Sequence, residues 1–288
     1  MDVSVIIVNY NTKELTLNCV NSVYEKSTGI IFEIIIVDNA SKDGSKELFE
    51  NDSRIKYIYL PKNIGFGRAN NFGYKYAKGK YIFCLNSDTI LINNAILLFY
   101  EKMENSSSNI GCMGTILKDK NLNEMHSYGK FPTVMGNLWW RLGNQCVWKD
   151  PIYMRNENTD FFAVDYVTGA DLFIRKSTIN ECGFFDEDFF LYFEETEMQW
   201  RFVNNGFKNY IYSIPQIIHL EGGSAPKHTP IKITIKKIAQ RVNSERLYFK
   251  KTNGLLYYCF VTMPYIFTDF ILILSRTFFE GITKKMTK

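Results

Sequence analysis

Tyr81-Ile82-Phe83-Cys84-Leu85-Asn86-Ser87-Asp88-Thr89 decides the reading of this chain. Five apolar residues in a row, ended by polar ones, read as a strand buried on both faces. The Asn-x-Asp at its C-terminal end is costly to bury alone, and a divalent cation carrying phosphates is one partner that would offset the cost. The competing reading makes Asp88 a cap for a helix that begins near Asn93. These residues by themselves do not choose between the two.

Outward from this strand the pattern repeats. Val3–Val8, Phe32–Val37 and Ile55–Leu60 are further short apolar runs, rich in β-branched residues or tyrosine. Helical spacing follows over Thr12–Tyr24, after the polar turn Asp38–Ser45, over Ile64–Ala77 and over Asn93–Met103. Strands alternating with helices predict an α/β fold, a single mixed and mainly parallel sheet flanked by helices. Ligands of such sheets bind beyond the C-terminal strand ends, so Asn9-Tyr10-Asn11, Asp38-Asn39 and Asn86-Ser87-Asp88 are expected along one edge. From Lys118 to Asp160 the periodicity fades, and Trp139, Trp140 and Trp148 fit loops over an acceptor site or plain packing. The pattern returns at Phe161–Arg175, with a helix at Glu194–Asn205 and strands at Phe207–Tyr212 and Gln216–Leu220.

The 288 residues carry a net charge of +4, unevenly placed. Between 227 and 251 lie Lys227, Lys232, Lys236, Lys237, Arg241, Arg246, Lys250 and Lys251 against one acid, Glu245. Ile231, Ile235, Ile238, Val242 and Phe249 fall near one face of that stretch, an amphipathic basic helix suited to an anionic surface. Leu255–Leu274 is apolar and long enough to be weighed as a membrane span, but Pro264 and Asp269 interrupt it. Peripheral attachment is the reading preferred for both segments, with a true span and plain packing as the alternatives. Nucleic acid is excluded as partner, because no stacking aromatics interleave the cations and no reading motif is present. The six cysteines have no C-x-x-C spacing and read as free thiols in a reducing compartment. Asp2 and the short run after it are unlike a secretory leader, so a cytoplasmic location is expected.

Several motifs could carry chemistry. Asp38 ends the second strand, where an acid commonly meets a base or ribose, or caps a turn. Asn63-Ile64-Gly65-Phe66-Gly67-Arg68-Ala69-Asn70-Asn71 lets backbone approach a ligand closely, and Arg68 could meet a phosphate. It is not the dinucleotide fingerprint, whose spacing and position differ. Glu194-Glu195 opens a helix, where acids are stabilised by the helix dipole or serve as a general base. Phe184, Phe185, Phe189, Phe190, Tyr192 and Phe193 precede it and could raise a carboxyl's pKa. His219 before Glu221-Gly222-Gly223 is structural, a metal ligand or a phosphate contact.

In order along the chain, SVIIVNYN (4–11), IIVDNASKDGS (35–45), NIGFGRANN (63–71), LNSDT (85–89), TGADLFIR (168–175), GFFDEDFFLYFEETEMQWR (183–201) and HLEGGS (219–224) resemble family 2 glycosyltransferases, the inverting GT-A enzymes. The resemblance is strongest to the rhamnosyltransferase-like branch that builds bacterial surface polysaccharides such as O-antigen or capsule. It implies a catalytic domain over 1–226 and a helical extension over 227–288. It implies that Asn9, Tyr10 and Asp38 hold the nucleoside, with Asp38 on the base. Asn63, Gly65, Arg68, Asn71, Asn86 and Ser87 would shape the nucleotide-sugar pocket. Asp88 would bind Mg²⁺ or Mn²⁺, assisted by His219. Glu195 stands where the family has its base Asp, which leaves Glu194 or Glu195 as the base. Asn86 stands where many relatives have Asp. The implied partners are a dTDP- or UDP-sugar and a lipid-linked saccharide, met at the cytoplasmic face of the inner membrane. The alternative is an inactive nucleotide- or carbohydrate-binding protein on the same fold.

Overall fold

The computed structural model describes residues 1–133, 136, 159–220 and 231–254. Its centre is an eight-stranded sheet. β1 (Val3–Asn9) pairs in parallel with β2 (Phe32–Asp38) and β4 (Tyr81–Leu85), and β3 (Ile55–Tyr59) pairs in parallel with β2. These are the continuous apolar runs of the sequence, and β4 is buried along its whole length.

Beyond β4 the direction changes. β10 (Asp171–Arg175) runs antiparallel to β4 and to β6 (Ile110–Gly114). β11 (Lys208–Tyr212) is parallel to β6, and β8 (Phe161–Val164) closes the sheet antiparallel to β11. The sheet is thus mixed, because antiparallel neighbours need no crossover helix. Two small sheets flank it. β5 (Thr89–Leu91) pairs antiparallel with β12 (Ile217–His219), and β7 (Tyr128–Gly129) with β9 (Tyr166–Val167).

Helices cover both faces. Alternate residues of each strand face opposite layers. Val3, Val5 and Ile7 of β1, Ile34 and Ile36 of β2 and Phe83 of β4 pack with Cys19, Val20 and Val23 of α1 (Lys13–Lys26). Phe99 and Met103 of α4 (Ala95–Glu104) complete that layer, and the short α2 (Ser45–Phe49) adds Phe49. Ile6, Ile35, Val37, Ile82 and Cys84 face the other layer, with Ala69 of α3 (Phe66–Tyr74) and Ile179 of α5 (Lys176–Cys182). Met198 and Phe202 of α6 (Glu194–Asn204) join them. Each of the Val, Ile, Phe and Met side chains among them contributes roughly 1.5–3 kcal/mol of burial.

α7 (Ile231–Asn253) lies where an amphipathic helix is expected. It is shared between two compact units: 1–131 with 150–244, and 132–149 with 245–288. Among the described residues no helix is long and apolar enough to cross a membrane. The apolar stretch Leu255–Leu274 lies outside the described residues.

Candidate active site

The polar strand ends meet at one edge, as the alternation predicts, and most of their hydrogen bonds go to one another. Asn9 is buried at the end of β1. Its amide donates to Asp38 Oδ2 at 3.1 Å and to Ser41 Oγ at 3.1 Å, while its carbonyl accepts from the Thr12 and Thr16 hydroxyls. Asp38 is 0% exposed. Tyr57 from the neighbouring strand donates to Asp38 Oδ2 at 2.7 Å, and the Ser41 N–H donates to Oδ1 at 2.7 Å. Asp38 stands at the expected edge, but its carboxylate points into the fold. A carboxylate with three donors inside is stabilised there without a ligand.

Asn39, expected at this edge but given no role by the sequence, links this knot to the glycine loop. Its amide donates to Asn63 Oδ1 (3.0 Å) and the Gly65 carbonyl (3.1 Å), and its own carbonyl accepts from Ile64 N–H (2.8 Å). Gly65 sits at φ +94°, and a Cβ there would run into the Phe190 carbonyl. Arg68 donates through Nε to the Glu187 carbonyl at 2.5 Å, and Asn71 clasps the backbone of Phe185 from both sides. These residues hold the aromatic loop against α3. Tyr10 stays open at this edge, 47% exposed, between loops pinned at Asn11 (φ 54°) and Ala40 (φ 69°), with Asn11 and Lys42 also exposed.

Asp88 and His219 are brought together from far apart in sequence. The β5–β12 pairing aligns Thr89 with His219, and the Leu220 N–H donates to the Asp88 carbonyl at 2.9 Å. His219 Nε2 then lies 3.2 Å from Asp88 Oδ1, with the two side chains 14% and 15% exposed. The turn before them is held by Ser87 Oγ, 3.0 Å from Thr12 Oγ1, and by the Asn86 carbonyl, which accepts from Thr89 Oγ1. Among the described residues no three ligands cluster for a metal. One carboxylate and one imidazole at a partly open surface fit a divalent cation that arrives with phosphate oxygens and keeps water, as Mg²⁺ and Mn²⁺ do.

The acid pair is built differently. Tyr192 and Phe193 both adopt left-handed backbone (φ 72° and 68°), costly for bulky residues and common at functional turns. They launch α6 at Glu194. Glu194 is 3% exposed, and its Oε2 has no hydrogen-bond partner. A Cβ on Gly67 would sit 3.6 Å from Glu194 Cβ and 2.9 Å from Phe185 Cβ, so α3 presses on this carboxyl. Burial, and then the charge of Glu195, push the Glu194 carboxyl well above the carboxylate range. Glu195 is less enclosed, its chain lying along the Thr168–Gly169 turn, where a Cβ on Gly169 would be 3.6 Å from its Cγ. Burial raises Glu195 too, opposed by the N–H groups of the first helical turn and by the positive charge of Arg241. Of the coupled pair, Glu195 is the member with groups favouring its charged form.

One hydrogen bond ties the two stations. Asn86 N–H donates to the Ala170 carbonyl at 2.9 Å, extending the β4–β10 pairing of Leu85 with Asp171. The turn under Glu195 is therefore next to the turn that carries Asp88. Asp171 beside it is a buried acid with Oδ2 accepting from Thr115 N–H at 2.6 Å, pushed well up by burial. The aromatic loop is anchored by Arg201, which pairs with Glu197 at 2.9 Å and donates to the Cys182, Gly183 and Phe184 carbonyls. The Glu–Arg spacing of four on a helix was the available signal for it.

The sheet order and the stations at its edge define a GT-A fold. Solved structures agree: GalNAc-T7 with UDP, GalNAc and Mn²⁺ matches at TM-score 0.60 and 17% identity, over 77% of this chain and 45% of that one. The mannosyltransferase PcManGT from Pyrobaculum calidifontis, in complex with GDP-Man and Mn²⁺, matches at TM-score 0.58 and 15% identity, over 86% of this chain and 63% of that one. The chain belongs to glycosyl transferase family 2, whose model matches residues 4–181. It is 28% identical over 203 residues to the low-salt glycan biosynthesis hexosyltransferase Agl10 of Haloferax volcanii, across 69% of this chain and 61% of that protein. The match spans less than two thirds of the length of that relative and of both solved chains.

Proposed function

We propose that this protein is an inverting glycosyltransferase that moves a sugar from a nucleoside diphosphate to a saccharide hydroxyl. The observation that supports the reading is the Asn86–Ala170 hydrogen bond, which joins the turn along which the half-buried Glu195 lies to the turn that carries Asp88, the partner of His219. Glu195 takes the proton of the acceptor hydroxyl, and that oxygen attacks the anomeric carbon opposite the nucleotide. The bond from that carbon to the diphosphate oxygen breaks, and its electron pair leaves with the diphosphate. Asp88 and His219 would hold a divalent cation, and the chemistry it would supply there is Lewis-acid stabilisation of a departing diphosphate, a role worth roughly several kcal/mol. Of the acid pair Glu195 is the member with groups favouring its charged form, which suits it to serve as the base of a single displacement with inversion; Glu194 is the alternative base.

Tyr10 offers its exposed ring to the nucleoside, and Asn9, Asp38, Asn63 and Gly65 fix the loops around it. Arg68, Asn71, Asn86 and Ser87 complete the donor pocket by holding its walls. The motif resemblance favours dTDP-rhamnose; UDP-hexoses are the alternative donor, in keeping with the hexosyltransferase name of one relative. A lipid-linked saccharide of a surface polysaccharide is the acceptor we favour. Residues 227–288 would touch the anionic inner leaflet, with Lys237, Arg241 and Lys250 of α7 exposed. Loss of vesicle co-sedimentation on deletion of 227–288 is the expected result for that contact.

The rival, an inactive binding protein, predicts binding without turnover. A panel of nucleotide sugars, each with Mn²⁺ or Mg²⁺ and scored for released nucleoside diphosphate, separates the two. Release that stops on Glu195→Gln supports the transferase; binding with no release or transfer from any donor sinks it.

A further inference from the structure

Gln199 lies in the middle of α6, one turn after Glu195, and is fully buried. A buried primary amide needs its donors and acceptor matched, and here they are matched across two elements. Its Oε1 accepts from the Val167 N–H at 2.8 Å, and its Nε2 donates to the Val167 carbonyl at 2.8 Å. Nε2 also donates to the Glu195 carbonyl at 3.0 Å. Val167 ends β9 and leads directly into Thr168-Gly169-Ala170, the turn on which Glu195 lies and which is bonded to Asn86. One side chain therefore grips the backbone of the helix turn that bears Glu195 and the strand that feeds the turn beneath it.

We infer that Gln199 is a positioning residue for transfer, fixing the Glu195 carboxylate over the Gly169 turn and so at a set distance from the diphosphate station. This rests on Glu195 being the base. The launch of α6 makes such a clamp necessary. Two consecutive left-handed residues, Tyr192 and Phe193, put strain just before Glu195, and no side chain caps the helix there. Strained turns persist where surrounding contacts over-determine them. Gln199 makes no side-chain hydrogen bond to the nucleoside loops of Asn9, Asp38 and Asn63, and it meets the donor side only through the backbone link of Ala170 to Asn86.

The test is Gln199→Met, which keeps the volume and removes all three hydrogen bonds, measured beside Glu195→Gln. Turnover is followed with the donor selected by the release panel, and affinity with that donor's nucleoside diphosphate and Mn²⁺ by calorimetry. The expected result is a kcat lower by about 10-fold or more, since small misplacements of a reacting group are costly. Donor and acceptor KM and nucleotide affinity stay within about twofold on that account. Unchanged kcat in folded Gln199→Met overturns the inference, and so does a parallel fall in kcat and nucleotide affinity, the mark of a merely structural role. If Gln199→Met does not fold, Gln199→Asn, an amide of shorter reach, is judged by the same criteria; misfolding of both makes Gln199 a folding residue and overturns the inference as well. Should Glu195→Gln retain turnover, the base assignment itself has failed. Should Glu195→Gln be inactive while Gln199→Met turns over normally, only this inference has.

Discussion

Asp38 and the Glu194–Glu195 pair are acids at the same sheet edge, and the fold treats them in opposite ways. Asp38 receives hydrogen bonds from Tyr57, Asn9 and Ser41 and is closed to solvent. Glu194 is as deeply buried yet leaves Oε2 without a partner, and Glu195 beside it is only partly enclosed. A satisfied carboxylate stabilises the loops it ties together. Burial raises the proton affinity of both glutamates, and the charge of Glu195 raises that of Glu194 further. On the proposed function, the edge separates scaffold acids from working acids by how many donors each receives.

The strongest way to break this contrast is Glu195→Gln. It removes the proposed base and leaves the donor loops alone, so kcat should fall on the order of 10²- to 10⁴-fold while nucleotide affinity persists. Near-normal turnover would transfer the role to Glu194. Asp88→Ala is next: Mn²⁺-dependent nucleotide affinity should drop by about 10- to 100-fold, read by titration calorimetry. Identical titrations of the parent and the variant, with and without Mn²⁺, would remove Asp88 from the metal site.

Glu194→Gln sharpens the contrast through stability. Burial raises the Glu194 carboxyl above its unfolded value, so the native state keeps a proton that the unfolded chain gives up as pH rises. Native stability is then lost with rising pH, by up to ~1.4 kcal/mol per pH unit from this group, above the ordinary carboxyl range. The variant should flatten that decline in denaturant titrations between pH 5 and pH 8, a window that begins just above the usual Glu value of about 4.3. Asp171, raised in the same direction, leaves part of the slope in place. An unchanged slope would mean that Glu194 is ionised in the native protein. For Asp38 the matching change is Tyr57→Phe, which removes one donor and should cost about 1–3 kcal/mol of stability in a denaturant or thermal melt. No change there would mean that the knot does not depend on Tyr57.

Much of the contrast was outside the reach of sequence. β1, β2 and β4 were legible because continuous apolar runs have few other uses, and Asp88 and His219 were legible because short polar signatures end apolar strands. The inward aim of Asp38 depends on a hydroxyl from the adjacent strand, and Tyr57 in a strand looks like any β-forming aromatic. The β5–β12 pairing joins two three-residue strands, too short to show a period, so nothing local announces that Asp88 and His219 touch. Gln199 in mid-helix reads as a surface polar residue until its burial is known. Asn86 in place of Asp was visible from the start, and under the proposed function Asp88 with His219 would supply two protein ligands without it.

The smallest expected effect is also the most specific. Arg241 on α7 bears a positive charge that favours ionised Glu195, against the burial that disfavours it. Arg241→Gln removes that charge without entering the donor site. With it gone, Glu195 holds its proton to higher pH, and the acidic limb of the kcat profile moves upward. Arg241 is exposed, so water and salt screen its influence, and the displacement should be about a few tenths of a pH unit. The turnover plateau above that limb should be unchanged, because the ionised base is the same group in the same place. High salt should shrink the difference between variant and parent, since the parent loses the same stabilisation when its guanidinium is screened. A limb that moves downward, or one that stays fixed at low ionic strength, would place the titrating group elsewhere than Glu195. That outcome would also remove Glu195 from the working side of the contrast with Asp38.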